Sequence, residues 1–186
     1  MSVAVKRGML LRHAEHFYFV EDVVERHSGK QRPTVHVTLR EAFDGRRIER
    51  TLEELMPIDE VPVAIKPMQY LYARGESRVF MDTQSFEEFE LSGPALGGFE
   101  PFLKEGEEFR VIFAGDTPLR LDMPESINLK VTDTAAPSHA VGAAGSVLKE
   151  ATLENGLVVR VPLFIKTGDM VRVSTKTREY LGKAST

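Results

Sequence analysis

Residues 149–168 read Lys149-Glu150-Ala151-Thr152-Leu153-Glu154-Asn155-Gly156-Leu157-Val158-Val159-Arg160-Val161-Pro162-Leu163-Phe164-Ile165-Lys166-Thr167-Gly168. Apolar and polar side chains alternate on both sides of Asn155-Gly156, the dipeptide that most readily takes the left-handed backbone of a tight hairpin. The stretch is therefore expected to form a strand, a turn, a second strand, and another turn at Thr167-Gly168-Asp169. Its residues belong mainly in the wall of a barrel. The same texture runs outward through the chain. Phe17–Val20, Val35–Leu39, Arg46–Thr51, Gln69–Tyr72, Val79–Met81, Phe109–Phe113, Ile127–Val131, Leu157–Phe164 and Met170–Ser174 are β-rich or alternate with period two. Asp44-Gly45, Arg74-Gly75 and Ala114-Gly115-Asp116 supply turns between them. A strand about every ten residues favours small barrels over a sandwich of long strands.

Helix is expected to be minor. Ser85–Leu91 carries a Ser85-x-x-Glu88 capping pattern with Phe86 and Phe89 on one face, which predicts a turn or two of helix. Residues 94–105 could form another, weakened by Gly97 and Gly98. Proline-bearing stretches at 56–62 and 121–125 divide the chain into thirds. Each third holds about sixty residues, near the lower limit for an independent core, which suits small barrels in a row.

Composition narrows the function classes. The chain has 186 residues, 42% hydrophobic, and no cysteine, which excludes disulfides, thiolate metal sites and a cysteine nucleophile. It has no apolar run long enough to span a bilayer, and its first residues lack an apolar signal core, so a cytoplasmic protein is expected. The net charge of −4 is uneven: residues 1–62 carry −1, residues 63–125 carry −6 and residues 126–186 carry +3. An acidic middle argues against a surface that coats nucleic acid uniformly.

One stretch concentrates positive charge. Arg26-His27-Ser28-Gly29-Lys30-Gln31-Arg32-Pro33 lies between two strands, and residues 26–40 hold four Lys/Arg and no acid. Gly29 permits a tight reversal that puts Lys30 at the apex. An ammonium on such a stalk can reach phosphates or a reaction centre in another molecule, although a plain solvated hairpin has the same local pattern. Pro137–Ser146 is a second candidate, a loop of small residues through which backbone N–H groups can approach a partner. His13-x-x-His16 lacks a third ligand at useful spacing, so no metal site is expected. No phosphate-binding loop, dinucleotide fingerprint, nucleophile elbow or other catalytic constellation occurs, and no cofactor is expected.

The stretch from Lys149 resembles the C-terminal signature of the bacterial elongation factor P family. That signature has the form Lys-x-Ala-x4-Gly-x2-Val-x-Val-Pro-x2-Ile-x2-Gly, filled here by Lys149, Ala151, Gly156, Val159, Val161, Pro162, Ile165 and Gly168. Tyr70-Leu71-Tyr72 with Val79-Phe80-Met81-Asp82 and Phe86-Glu87 is similar to the family's middle domain, and Lys6-Arg7-Gly8-Met9 leading to Gly29-Lys30 to its first. The resemblance runs in order through essentially the whole chain and includes the elongation factor P-like paralogues. It implies an all-β fold of three small barrels in an L shape. These are an SH3-like or translation-protein (KOW-like) barrel over 1–62 with its tip loop at 26–33, a central OB-fold over 63–125 and a C-terminal OB-fold over 126–186.

The resemblance also implies a monomeric, non-enzymatic factor that binds the ribosome and its RNA beside peptidyl-tRNA and relieves stalls at consecutive prolines. Lys30 would reach the tRNA acceptor end near the peptidyl transferase centre, with Arg26, Gly29 and Arg32 supporting RNA contacts. Many family members extend the tip lysine covalently, which brings a tip-modifying enzyme in as a further partner. The usual family tip is Lys-Pro-Gly-Lys-Gly, whereas here His27-Ser28-Gly29 precede Lys30 and Gln31-Arg32-Pro33 follow. Gly142-Ala143-Ala144-Gly145 likewise replaces a more polar loop to which codon or small-subunit contacts are assigned.

Two other classes compete. A general single-stranded nucleic-acid binder on OB barrels would interleave aromatic and basic residues along a groove, and Arg46-Arg47 with Tyr70-x-Tyr72 are sparse for that. A small β-barrel enzyme would need a catalytic constellation.

Overall fold

The computed structural model describes residues 5–138 and 147–185. It is almost entirely β, arranged as three antiparallel sheets that follow one another along the chain. The first contains β1 (Leu10–His13), β2 (His16–Arg26), β3 (Thr34–Glu41) and β4 (Arg47–Thr51) in sequence order. The second contains β5 (Val63–Arg74), β6 (Ser77–Asp82), β7 (Glu88–Leu91), β8 (Glu108–Ala114) and β9 (Thr117–Leu121), in the order β7-β6-β5-β8-β9. The third contains β10 (Ser126–Thr134), β11 (Leu148–Leu153), β12 (Val158–Pro162), β13 (Met170–Ser174) and β14 (Tyr180–Lys183), in the order β12-β11-β10-β13-β14. The two five-stranded sheets thus share one plan, with a long first strand in the centre.

Alternation decides which faces turn inward. In β3 Val37 and Leu39 are fully buried, and with Leu11, Tyr18, Val20 and Leu55 they fill the first core. Met68, Phe80, Leu96, Phe113 and Leu119 are wholly enclosed among the residues of the second sheet and its connections. Leu10 and Ala42 of the first sheet also pack with Ile112, Ala114 and Leu119 of the second. The first two sheets accordingly belong to one compact unit, Met1–Gly98 with Glu105–Asp122, while Phe99–Lys104 and Met123–Thr186 form the other.

The short segment Phe99–Lys104 leaves its sequence neighbours. Phe102 is buried in the core built from Val131, Leu153, Val161, Ile165, Val171 and Val173, and Asn155 Nδ2 donates to the Pro101 carbonyl at 2.9 Å.

The helix expected over Ser85–Leu91 does not form. Asp82 Oδ1 accepts from the backbone N–H groups of Gln84 at 2.7 Å and Ser85 at 3.2 Å, closing a turn after β6. Phe86 then takes a left-handed φ of 61°, and Glu88–Leu91 pair with β6 as β7. Ser85 Oγ does accept from the Glu87 N–H at 3.4 Å, as a cap would, but the left-handed Phe86 between them breaks the helical path that the cap would start. Helix in the 94–105 region is limited to α1 (Gly93–Leu96) and one 3-10 turn at Glu100–Phe102. The strand expected over Leu157–Phe164 pairs only from Val158 to Pro162, since Ile165 N–H already turns back to the Pro162 carbonyl at 3.2 Å.

Candidate functional site

β2 and β3 pair from Tyr18↔Glu41 to Arg26↔Thr34, and residues 27–33 form the loop at their end. Two long strands hold that loop away from the first core, because Val24, Glu25 and Arg26 have already left it for solvent. At the apex Gln31 N–H donates to the Ser28 carbonyl at 3.1 Å. Gly29, the first central residue of this turn, has φ 57°, a conformation glycine takes without a Cβ penalty. Lys30 is the second central residue. It is exposed, and neither it nor Arg32 has a side-chain partner among the described residues.

The other cations of the stretch are committed. Arg26 Nη1 and Nη2 each lie 3.1 Å from an oxygen of Glu49, and His36 Nδ1 is 3.0 Å from the same carboxylate. The Arg26 hydrogen bond is the main reason that Glu49 titrates below the ordinary carboxylate range. His27 Nε2 sits 3.2 Å from Glu25. The four basic residues of positions 26–40 therefore reduce to two uncommitted ones near the apex, Lys30 and Arg32, since Arg40 is bound to Glu21 at 2.5 Å. Sequence reading missed this neutralisation, because Glu49 reaches Arg26 only through the β2–β3–β4 register.

The C-terminal signature is structural. Ala151 pairs with Val159 and Lys149 with Val161 across β11 and β12. Ala151, Val159, Val161 and Ile165 are buried in the third core. Gly156 (φ 85°) and Gly168 (φ 95°) close the two turns, and the Lys149 ammonium donates to the Ala135 carbonyl. Pro162 ends β12. The small-residue loop lies outside the described residues from position 139 to 146. Among the described residues no cluster of three His, Cys, Asp or Glu could hold a metal ion, and no helix is long and apolar enough to cross a membrane. His13 and His16 face each other across the β1–β2 turn, with His16 Nδ1 3.6 Å from Glu41.

Comparison with known proteins agrees with this architecture. The family description "Elongation factor P (EF-P) OB domain" matches residues 63–121, and "Elongation factor P, C-terminal" matches residues 127–183. An elongation factor P of Salinibacter ruber is 36% identical over 182 residues, covering 97% of this chain and 94% of that protein. One of Nitratidesulfovibrio vulgaris (strain Miyazaki F) is 37% identical over 155 residues, 83% of each chain. Among solved structures, "Eukaryotic translation initiation factor 5A from Methanococcus jannaschii" superposes with a TM-score of 0.50 at 24% identity, covering 63% of this chain and 89% of that one, a likeness of fold. With relatives matched over nearly their full length and two family domains in order, the chain belongs to the elongation factor P family of translation elongation factors.

Proposed function

We propose that this factor binds the ribosome beside peptidyl-tRNA and promotes peptide-bond formation where consecutive prolines stall it, with Lys30 directed at the tRNA acceptor end. The observation that carries this reading is an exposed lysine, without a partner among the described residues, at the apex of a long hairpin in a chain of this family. Proline fixes φ, and its hindered secondary amine makes the nascent Pro-Pro bond hard to align. The factor need supply no acid or base of its own. A cation holding the acceptor phosphates in productive geometry lowers the barrier through positioning.

Arg32 is a second contact to phosphate, and Gly29 sets the turn that presents Lys30. Arg26 supports the stalk from its base through Glu49. A tip-modifying enzyme fits the same exposed ammonium, and the protein acts as a cytoplasmic monomer. The test is timed tripeptide synthesis through Pro-Pro on purified ribosomes, with protein isolated from its native host. The wild type should accelerate the Pro-Pro step and Lys30→Ala should not. Full activity of the Ala variant would overturn the assignment.

A further inference from the structure

Six charged residues from separate parts of the chain converge on a cavity of about 520 Å³ in the unit formed by the first two sheets: Arg7, Glu21, Asp22, Arg40, Arg47 and Arg120. The Phe19 ring completes one wall. The register of β2 against β3 slips between Val20 and Asp22, leaving Glu21 as the extra residue of a bulge. Bulges re-aim a side chain out of the regular alternation. Here Glu21 Oε1 meets Arg40 Nε at 2.5 Å, and Glu21 Oε2 lies 2.6 Å from Arg47 Nε. Oε2 is buried, and its contact with Arg47 is an ion pair. The Arg40 hydrogen bond, opposed by desolvation, holds the Glu21 carboxyl below its usual range, and it stays ionised.

Arg40 is fixed further by its Nη1 on the Gly45 carbonyl at 3.1 Å. Arg47 spends only Nε on Glu21. Arg120 stacks over the Phe19 ring, its guanidinium carbon 4.7 Å from the centroid, and makes no salt bridge among the described residues. Arg7 has no ion-pair partner among the described residues. Asp22 also lines the cavity, and its Oδ1 accepts from the Val23 N–H at 3.0 Å. Four guanidinium groups against two carboxylates leave the cavity with an excess of two positive charges. Glu21 accounts for the positions of Arg40 and Arg47, but not for Arg7 and Arg120 on the same concavity. Like charges gathered in a recess repel unless an anion sits among them, and guanidinium forks held in advance suit a tetrahedral oxyanion. The volume falls within the roughly 300–1,000 Å³ of small-ligand sites.

We infer that this cavity is a binding site for a phosphoryl group, separate from the Lys30 tip. The group could belong to an RNA backbone or to a small phosphorylated ligand, and two measurements tell these apart. The first is titration of the purified protein with inorganic pyrophosphate, followed through the arginine Nε–H resonances. Wild-type protein should show saturable shifts at the cavity arginines, weakened about tenfold in Arg7→Gln, whose exposed side chain is dispensable for folding, and similarly in Arg120→Gln. Lys30→Ala should bind as the wild type does.

The second is the salt dependence of ribosome binding. For an RNA phosphate, Arg7→Gln should lower the slope of log affinity against log salt by about one, and pyrophosphate should compete with the ribosome. An unchanged slope with saturable pyrophosphate binding identifies a small phosphorylated ligand. Uniform, unsaturable shifts at all exposed arginines, together with an unchanged slope, would overturn the site. Failure of wild-type protein to bind ribosomes would instead count against the ribosomal function and leave the pyrophosphate result standing.

Discussion

The Arg26 guanidinium and the Glu49 carboxylate meet fork to fork, with both N–O distances at 3.1 Å. This pair splits the charge of the hairpin into a part that braces the stalk and a part left for a partner. Arg26→Glu should lower the melting temperature, because it sets a second carboxylate against Glu49, while Arg32→Glu should leave it unchanged. In ribosome binding the order reverses: Arg32→Glu should weaken association more than Arg26→Glu does. That difference should narrow at high salt, where phosphate contacts are screened. Sedimentation with ribosomes at two salt concentrations and a thermal scan check both halves.

Lys30→Ala should change stability by no more than about 0.5 kcal/mol, as exposed positions ordinarily do. Lys30→Arg keeps the charge and forbids extension of a lysine. Its activity should follow the intact mass of the native protein. With an unmodified mass, Arg should retain part of the Pro-Pro acceleration; with an added group on Lys30, Arg should behave as Ala.

Phe102→Ala should open a hole in the third core. Truncating a buried phenylalanine costs about 3–5 kcal/mol, and this side chain is 4% exposed. Hydrogen exchange should show the loss in β10–β14 and leave β1–β4 protected as before.

Asp169 gives an acid-side signature. Its Oδ2 accepts from the Lys166 N–H at 3.0 Å and lies 3.5 Å from the Lys183 ammonium. The Lys166 backbone hydrogen bond is the main cause of a titration below the ordinary 3.8. The folded form therefore binds its proton less readily than the unfolded chain. The resulting stabilisation is complete well above pH 3.8 and is lost as pH falls through that value towards the lower folded one. Asp169→Asn should be less stable at pH 7 and lose less on acidification. Urea midpoints at pH 7 and pH 3 decide it.

Much of this was legible in the sequence, for reasons visible at single residues. Asn155-Gly156 announces its hairpin because Gly156 takes the left-handed φ of 85° that closes a three-residue loop between Leu153 and Leu157, and Val37 and Leu39 mark a core face through alternation alone. Lys30 could be placed at an apex because Gly29 precedes it. The segment from Ser85 misled, since the side chain that closes its turn is Asp82, upstream of the apparent cap. The Arg7–Arg120 cavity could not be foreseen. Its residues lie on four strands and a preceding segment, share no spacing, and meet only when a bulge at Glu21 and the packing of two sheets bring them together.

The excursion of Phe99–Lys104 bears on how such proteins can be recombined. The chain passes between the two units three times, at 98–99, 104–105 and 122–123. A cut or crossover near residue 122 thus separates the last five strands from the phenylalanine that completes their core. A chimera that exchanges residues 123–186 alone inherits a foreign Phe102 equivalent and must fit it; one that carries 99–104 along transplants a matched set. The inheritable module of the third sheet is discontinuous in sequence, and its six-residue outpost sits inside the gene segment of its neighbour.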